Sequence, residues 1–219
     1  MSDQPLSEEE IRQRVREAMR RSQQLLKKEK KAEQRPDGTL LPILRSTSSS
    51  PDLDHFPHVP VLPGTLFASL AYVELTPEGT IGMRHVVDEQ LGGRSVEDLM
   101  SDATTNLMSG LNAQIRGSDD TPDRMLSLER EGYFAASAVV APDFHEWVSG
   151  LLEEDRLIVA LPCPDQIYIT GADSYWADQL ARMVLDSDYE PNPLTPTLLL
   201  WESTGPDLIV EQPVRTEPS

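Results

Sequence analysis

From residue 66 to residue 211 the apolar positions switch period repeatedly, from alternation to helical spacing and back. No other feature of this 219-residue chain restricts its fold as tightly. Residues 66–75 and 80–87 read as strands joined by the turn Thr76-Pro77-Glu78-Gly79. A helix follows from a cap at Ser95, with Val96, Leu99, Met100, Ala103, Leu107 and Leu111 on one side. Residues 125–130 and 133–140 read as a second strand pair, broken at Gly132. The helix after it opens on Pro142 and carries Phe144, Trp147, Val148, Leu151 and Leu152 at unbroken helical spacing. Residues 157–161 and 166–170 flank Pro162-Cys163-Pro164-Asp165 as a third hairpin. A helix from near Asp173 directs Trp176, Leu180, Met183 and Val184 inward, and 194–202 and 208–211 form a last strand pair.

This order implies an α+β fold: a mostly antiparallel sheet built from repeated ββα units, with helices packed on one face and a long basic helix in front. Pro196 would leave a ladder position without its donor, which places its strand at an edge. One continuous sheet and two subdomains both remain compatible with the pattern.

Ahead of this rhythm the chain changes character. Residues 7–34 read as a long helix: Ser7 and Glu10 make a capping box, glutamates fill the first turn and Lys27, Lys28, Lys30 and Lys31 the last. Its apolar stripe (Ile11, Val15, Ala18, Leu25) is too thin for a core helix. Residues 40–44 read as a strand interrupted by Pro42, and 48–64 as a proline-rich surface loop. The expected division is a basic amphipathic helix at 1–35, an α+β domain at 36–211 and a disordered tail at 212–219.

The net charge of −18 is unevenly spread. Residues 11–35 hold 10 Lys/Arg against 3 Asp/Glu, a net of +7; residues 36–219 hold 9 against 30, a net of −21. So acidic a body repels nucleic-acid phosphates and anionic membranes, leaving only the first helix for any polyanion. No stretch reaches the roughly 18–20 apolar residues of a membrane span. The first residues lack a basic start followed by an apolar run, so a cytoplasmic location is expected. Cys163, the single cysteine, has no disulfide partner within the chain.

Candidate sites are few. Arg45-Ser46-Thr47-Ser48-Ser49-Ser50 offers a guanidinium fork and hydroxyls suited to a phosphate or carboxylate, without the glycines of a P-loop. The plainer reading has Arg45 paired to an acid. Asp52, Asp54, His55 and His58 supply nitrogen and oxygen donors for a divalent metal, or simply a solvated loop. His85 lies on an apolar strand face as a satisfied core residue. Cys163, between two prolines, lacks a neighbouring base and reads as an inert turn residue. Asn106 reads as half-buried and hydrogen-bonded. No nucleophile elbow, zinc-protease helix or dinucleotide loop is present, and no cofactor is expected.

Four stretches together resemble the bacterial YtpQ-like family, a domain of unknown function. They are Leu41-Pro42-Ile43-Leu44-Arg45-Ser46-Thr47; residues 84–91 with the helix ending Ala103-Thr104-Thr105-Asn106-Leu107; residues 155–170; and Leu194-Thr195-Pro196. The resemblance spans about 8–211 and implies no settled activity, substrate or cofactor. It converges on Arg45, Ser46 and Thr47, with Arg84, Asn106 and Asp165 as further ligand candidates.

Three functions from different classes follow. The first is a non-catalytic binding or adaptor protein meeting another protein, or a second copy of itself, through Arg12, Arg16, Arg20, Lys27 and Lys28. The second is a hydrolase or anionic-ligand binder at 45–50 with acids such as Asp165. The third is RNA binding through the basic helix, which the −21 body opposes.

Overall fold

The computed structural model describes residues 38–75, 80–117, 123–130, 133–187 and 194–213. From Thr39 onward they belong to one compact unit. The basic helix expected at 7–34, with Arg12, Arg16, Arg20, Lys27 and Lys28, lies outside the described residues.

The unit is α+β, with two antiparallel sheets. The first contains β1 (Thr39–Ser46), β2 (His58–Leu62), β3 (Leu66–Leu75) and β4 (Ile81–His85). The long β3 pairs with β1 along one side. On its other side β2 pairs with the first half and β4 with the second. Helix α1 (Val96–Met108) follows, with the Ser95 hydroxyl accepting from the Asp98 N–H as its N-cap.

The second sheet has the order β10-β9-β7-β8-β6-β5. Its strands are β5 (Asn112–Arg116), β6 (Met125–Glu129), β7 (Leu157–Cys163), β8 (Gln166–Gly171), β9 (Thr197–Glu202) and β10 (Gly205–Glu211). Helix α2 (Phe144–Leu152) precedes β7, and α3 (Trp176–Asp186) precedes β9.

Alternation along these strands divides the core. Ile158, Ala160 and Leu198 pack with Leu180 and Val184 of α3. Leu157, Val159, Leu161, Leu199 and Trp201 face the other way, toward Phe144, Val148 and Leu152 of α2 and toward Leu41, Ile43, Ala71 and Val73 of the first sheet. Leu40, Ala68 and Leu70 turn to Leu99, Met100 and Ala103 of α1. Helices α2 and α3 therefore lie on opposite faces of the six-stranded sheet, not on one face as the strand–helix order suggested.

Other expectations also change. The stretch 48–64 is not all loop, because β2 runs through it. Residues 133–140 are not a strand. Ala135–Val140 form a 3-10 helix that starts after Phe134 at φ 60. The Asp165 carboxylate accepts the Phe134 N–H at 2.8 Å, and the Pro164 carbonyl accepts that of Ala136 at 3.0 Å. Ala135, Ala136, Ser137 and Ala138 are small enough to be buried in this tight turn, and alanine has little strand preference. The partner of β6 is instead β5, whose five residues are all exposed and carry no buried-face signal.

Pro196 precedes β9, an interior strand between β10 and β7, so it marks no edge. Met183 is 38% exposed on the outer side of α3. Gln212 belongs to the folded unit and not to a loose tail. Its side-chain amide donates to the Leu185 and Ser187 carbonyls at 2.9 and 3.0 Å.

Pro42 does not interrupt β1. Residues of one parity turn their backbone groups away from a strand's partner. At Leu40 that outward carbonyl accepts from the Asn106 amide at 3.1 Å, and at Leu44 the outward N–H donates to the Ser137 hydroxyl at 3.0 Å. Pro42, of the same parity, has no N–H to satisfy. The edge of the first sheet is thus closed by two side chains and a proline. Ser137→Ala strands a buried N–H and should cost about 1–3 kcal/mol in chemical denaturation, with the denaturant slope unchanged. A change below about 0.5 kcal/mol would contradict this role for the hydroxyl.

Candidate functional site

Arg45 follows Leu41 and Ile43 on the same face of β1, and its side chain is only 6% exposed. Its guanidinium donates to His85 Nε2 at 3.0 Å and approaches the Asp52 carboxylate at 3.5 Å. The Phe56 ring covers it, with Cζ 4.9 Å from the centroid, and also packs on His85 at 4.8 Å between ring centres. Ser69, small and on the same face of β3, leaves the guanidinium room to cross toward β4.

Arginine only donates, so Nε2 of His85 accepts and the ring is neutral with its proton on Nδ1. Burial holds the His85 pKa below the ordinary histidine value, the Arg45 charge pushes the same way, and Asp52 opposes both. Burial also lowers the Arg45 pKa, against the pull of Asp52.

The hydroxyls after Arg45 are committed to internal bonds. Ser46 Oγ accepts the Thr195 N–H at 3.0 Å. Ser48 Oγ lies 2.9 Å from Thr195 Oγ1 and donates to Glu211 at 2.7 Å. Thr195 donates to Ser49 Oγ at 3.1 Å. Thr47 Oγ1 bonds the Gly64 and Thr65 carbonyls, both at 3.2 Å. Segment 45–50 is a latch joining the first sheet to the chain that enters and leaves the second.

The remaining expected ligand residues are dispersed. Arg84 lies over the Tyr72 ring at 6.0 Å, and Asn106 caps the Leu40 carbonyl. Asp165 holds Phe134 and lines a cavity whose walls include none of Arg45, Arg84 or Asn106. Of the alternative metal donors, Asp52 faces Arg45, while His55 and His58 lie by the carbonyls of Asp52 and Phe56 at 3.3 and 2.8 Å. Among the described residues no three His, Cys, Asp or Glu side chains gather as a metal site.

A groove of about 760 Å³ opens between α1, β2 and residues 139–143. Its apolar wall includes Val61, Met100, Met108, Val140, Pro142 and Trp201. Glu97 and Asp143 stand on it, and among the described residues no lysine or arginine does. Sequence reasoning missed this groove because two of its three walls, β2 and the 3-10 segment, were read as other structures. The apolar helix face with Met100 was the one legible signal.

No protein-family model, no curated protein and no solved structure matches this chain.

The lowered His85 pKa carries a pH signature. A histidine held neutral contributes stability that is complete above its unfolded value of about 6.5 and is lost as pH falls toward the lower folded value. Unfolding midpoints taken from about pH 8 down to about pH 5 should drop in the wild type. His85→Gln, which still offers an acceptor to Arg45, should remove part of that drop. Parallel curves for the two proteins would contradict the assignment.

Proposed function

We propose that this protein is a non-catalytic binding protein of adaptor type that holds a partner protein in the groove between α1, β2 and residues 139–143. One observation carries the reading: an apolar channel whose charged lining, among the described residues, consists of carboxylates. A concave apolar surface with a few placed polar groups is the usual form of a recognition site. Its two methionines, Met100 and Met108, suit it to apolar side chains of varied shape. The matching partner segment is an amphipathic helix with an apolar side flanked by lysines and arginines.

The internal bonding of Ser46, Thr47, Ser48 and Ser49 weighs against a hydrolase at that segment. The −21 charge of residues 36–219 weighs against RNA. The proposal retains the YtpQ-like resemblance, a cytoplasmic setting, and the basic stretch with Arg12, Arg16, Arg20, Lys27 and Lys28 as a further partner-contacting element.

Two labelled synthetic helices with the same leucines, one with lysines and one with glutamates on the polar side, test the groove by fluorescence anisotropy. The lysine form should bind the full chain at least about tenfold more tightly, and less so at high salt. The double variant Glu97→Gln/Asp143→Asn should bring the two peptides close to parity. Equal binding of both peptides by the wild type, no binding of either, or an unchanged preference in the variant would overturn the reading.

A further inference from the structure

A second concavity, of about 550 Å³, lies at the end of the six-stranded sheet where β5 begins, β6 ends and β7 turns into β8. Its walls are mainly polar, and they include Arg130, Glu129, Asp165, Asn112, Gln166 and Tyr168.

Arg130 is the unusual member. It is partly buried, and its Nε is shielded from water without a hydrogen-bond partner. It makes no ion pair with any described residue, although Glu129 and Asp165 line the same cavity. Gly110, just past the end of α1, accommodates it: a Cβ there would stand 3.0 Å from Arg130 Nε. A half-buried guanidinium without a carboxylate has given up hydration for no charge partner.

The acids opposite are only partly engaged. Asp165 spends one oxygen on the Phe134 N–H, leaving the other for a donor. Glu129 is exposed and accepts from the Gln114 amide at a long 3.5 Å. Among the described residues the cavity therefore presents one unpaired cation and two carboxylates held apart from it, with amide groups from Asn112 and Gln166 beside them.

We propose that this cavity binds a small zwitterion, a molecule carrying a carboxylate and an ammonium group such as a free amino acid. Its carboxylate meets the Arg130 fork, and its ammonium meets Asp165 and Glu129. A planar carboxylate matches the guanidinium, while an ammonium matches carboxylate oxygens, so neither charge enters the cavity unpaired. The site is separate from the groove and does not depend on it.

The chain carries its own reporter, because its single cysteine, Cys163, also lines this cavity and is half-buried. Burial pushes its thiol pKa up, against the Asp165 and Gln166 N–H groups that pull it down, while the Asp165 charge adds a smaller upward push. The experiment measures the rate of Cys163 alkylation by iodoacetamide in the full chain. Additives are a panel of free amino acids, with acetate and methylamine as single-charge controls.

Saturable protection by one or more amino acids is expected, with none from acetate or methylamine at equal concentration. Arg130→Gln should weaken that protection at least about tenfold. Asp165→Asn keeps the acceptor for Phe134 and so preserves the fold; combined with Glu129→Gln it should weaken protection similarly. Absence of protection by the whole panel, equal protection by acetate alone, or full protection in the Glu129→Gln/Asp165→Asn protein would each overturn the proposal. That double variant decides the matter should Arg130→Gln fail to fold.

Discussion

Strand β7 carries six consecutive buried residues, from Leu157 to Pro162, and the sheet around it therefore has to be covered twice. Helix α3 supplies one cover. The other combines α2, the 3-10 segment and the first sheet, around Phe144 stacked against Trp201 with ring centres 4.9 Å apart. Much else follows from this demand. The first sheet is drawn against the second because its own inner face, Leu41, Ile43, Ala71 and Val73, is apolar. Helix α1 then closes the first sheet's other side. The groove lies where these covers meet, between a helix that serves one sheet and a turn that serves the other.

Elements with one clear period were legible in the sequence. The alternating run of β3, the Ser95 cap of α1 and the unbroken spacing of α2 could each be placed from residue types alone. Failures came where local pattern and tertiary demand parted. In β5, no residue is buried, so the strand exists through pairing with β6 and leaves no hydrophobic trace. Ala135–Val140 is apolar apart from Ser137, and burial alone cannot separate a strand from a tight helix. Its form is set by the Asp165 carboxylate and Pro164 carbonyl from a distant turn. The prolines around β2 argued for a loop, yet the strand lies at the sheet's side, where Pro60 is tolerated.

The site readings divided in a similar way. Arg45 stood out by its position near a strand end, and that prominence reflects a buried guanidinium held by partly buried His85 and Phe56 and by the exposed Asp52. No spacing rule links residues 45 and 85, because β3 alone brings their strands together. Hydroxyls that looked available for an anion are consumed in joining the sheets through Thr195 and Glu211. Arg130 drew no attention in the sequence, since its isolation from acids is a fact of three-dimensional arrangement in a chain otherwise rich in them.

The treatment of β1 bears on how this protein behaves among its own copies. An uncovered strand normally offers a template on which another chain can add in register, the first step toward fibrils and precipitates. Along β1 the outward groups at Leu40 and Leu44 are occupied, and Pro42 removes the donor between them. An incoming strand finds no ladder there. In the second sheet no such guard is seen on β5 among the described residues: the strand is short, ends in Arg116, and shows Ile115 at 44% exposure. At high concentration, strand addition should start from the edges of this sheet, β5 or β10, the latter exposing Leu208 and Ile209, with charge repulsion between acidic bodies as the main restraint.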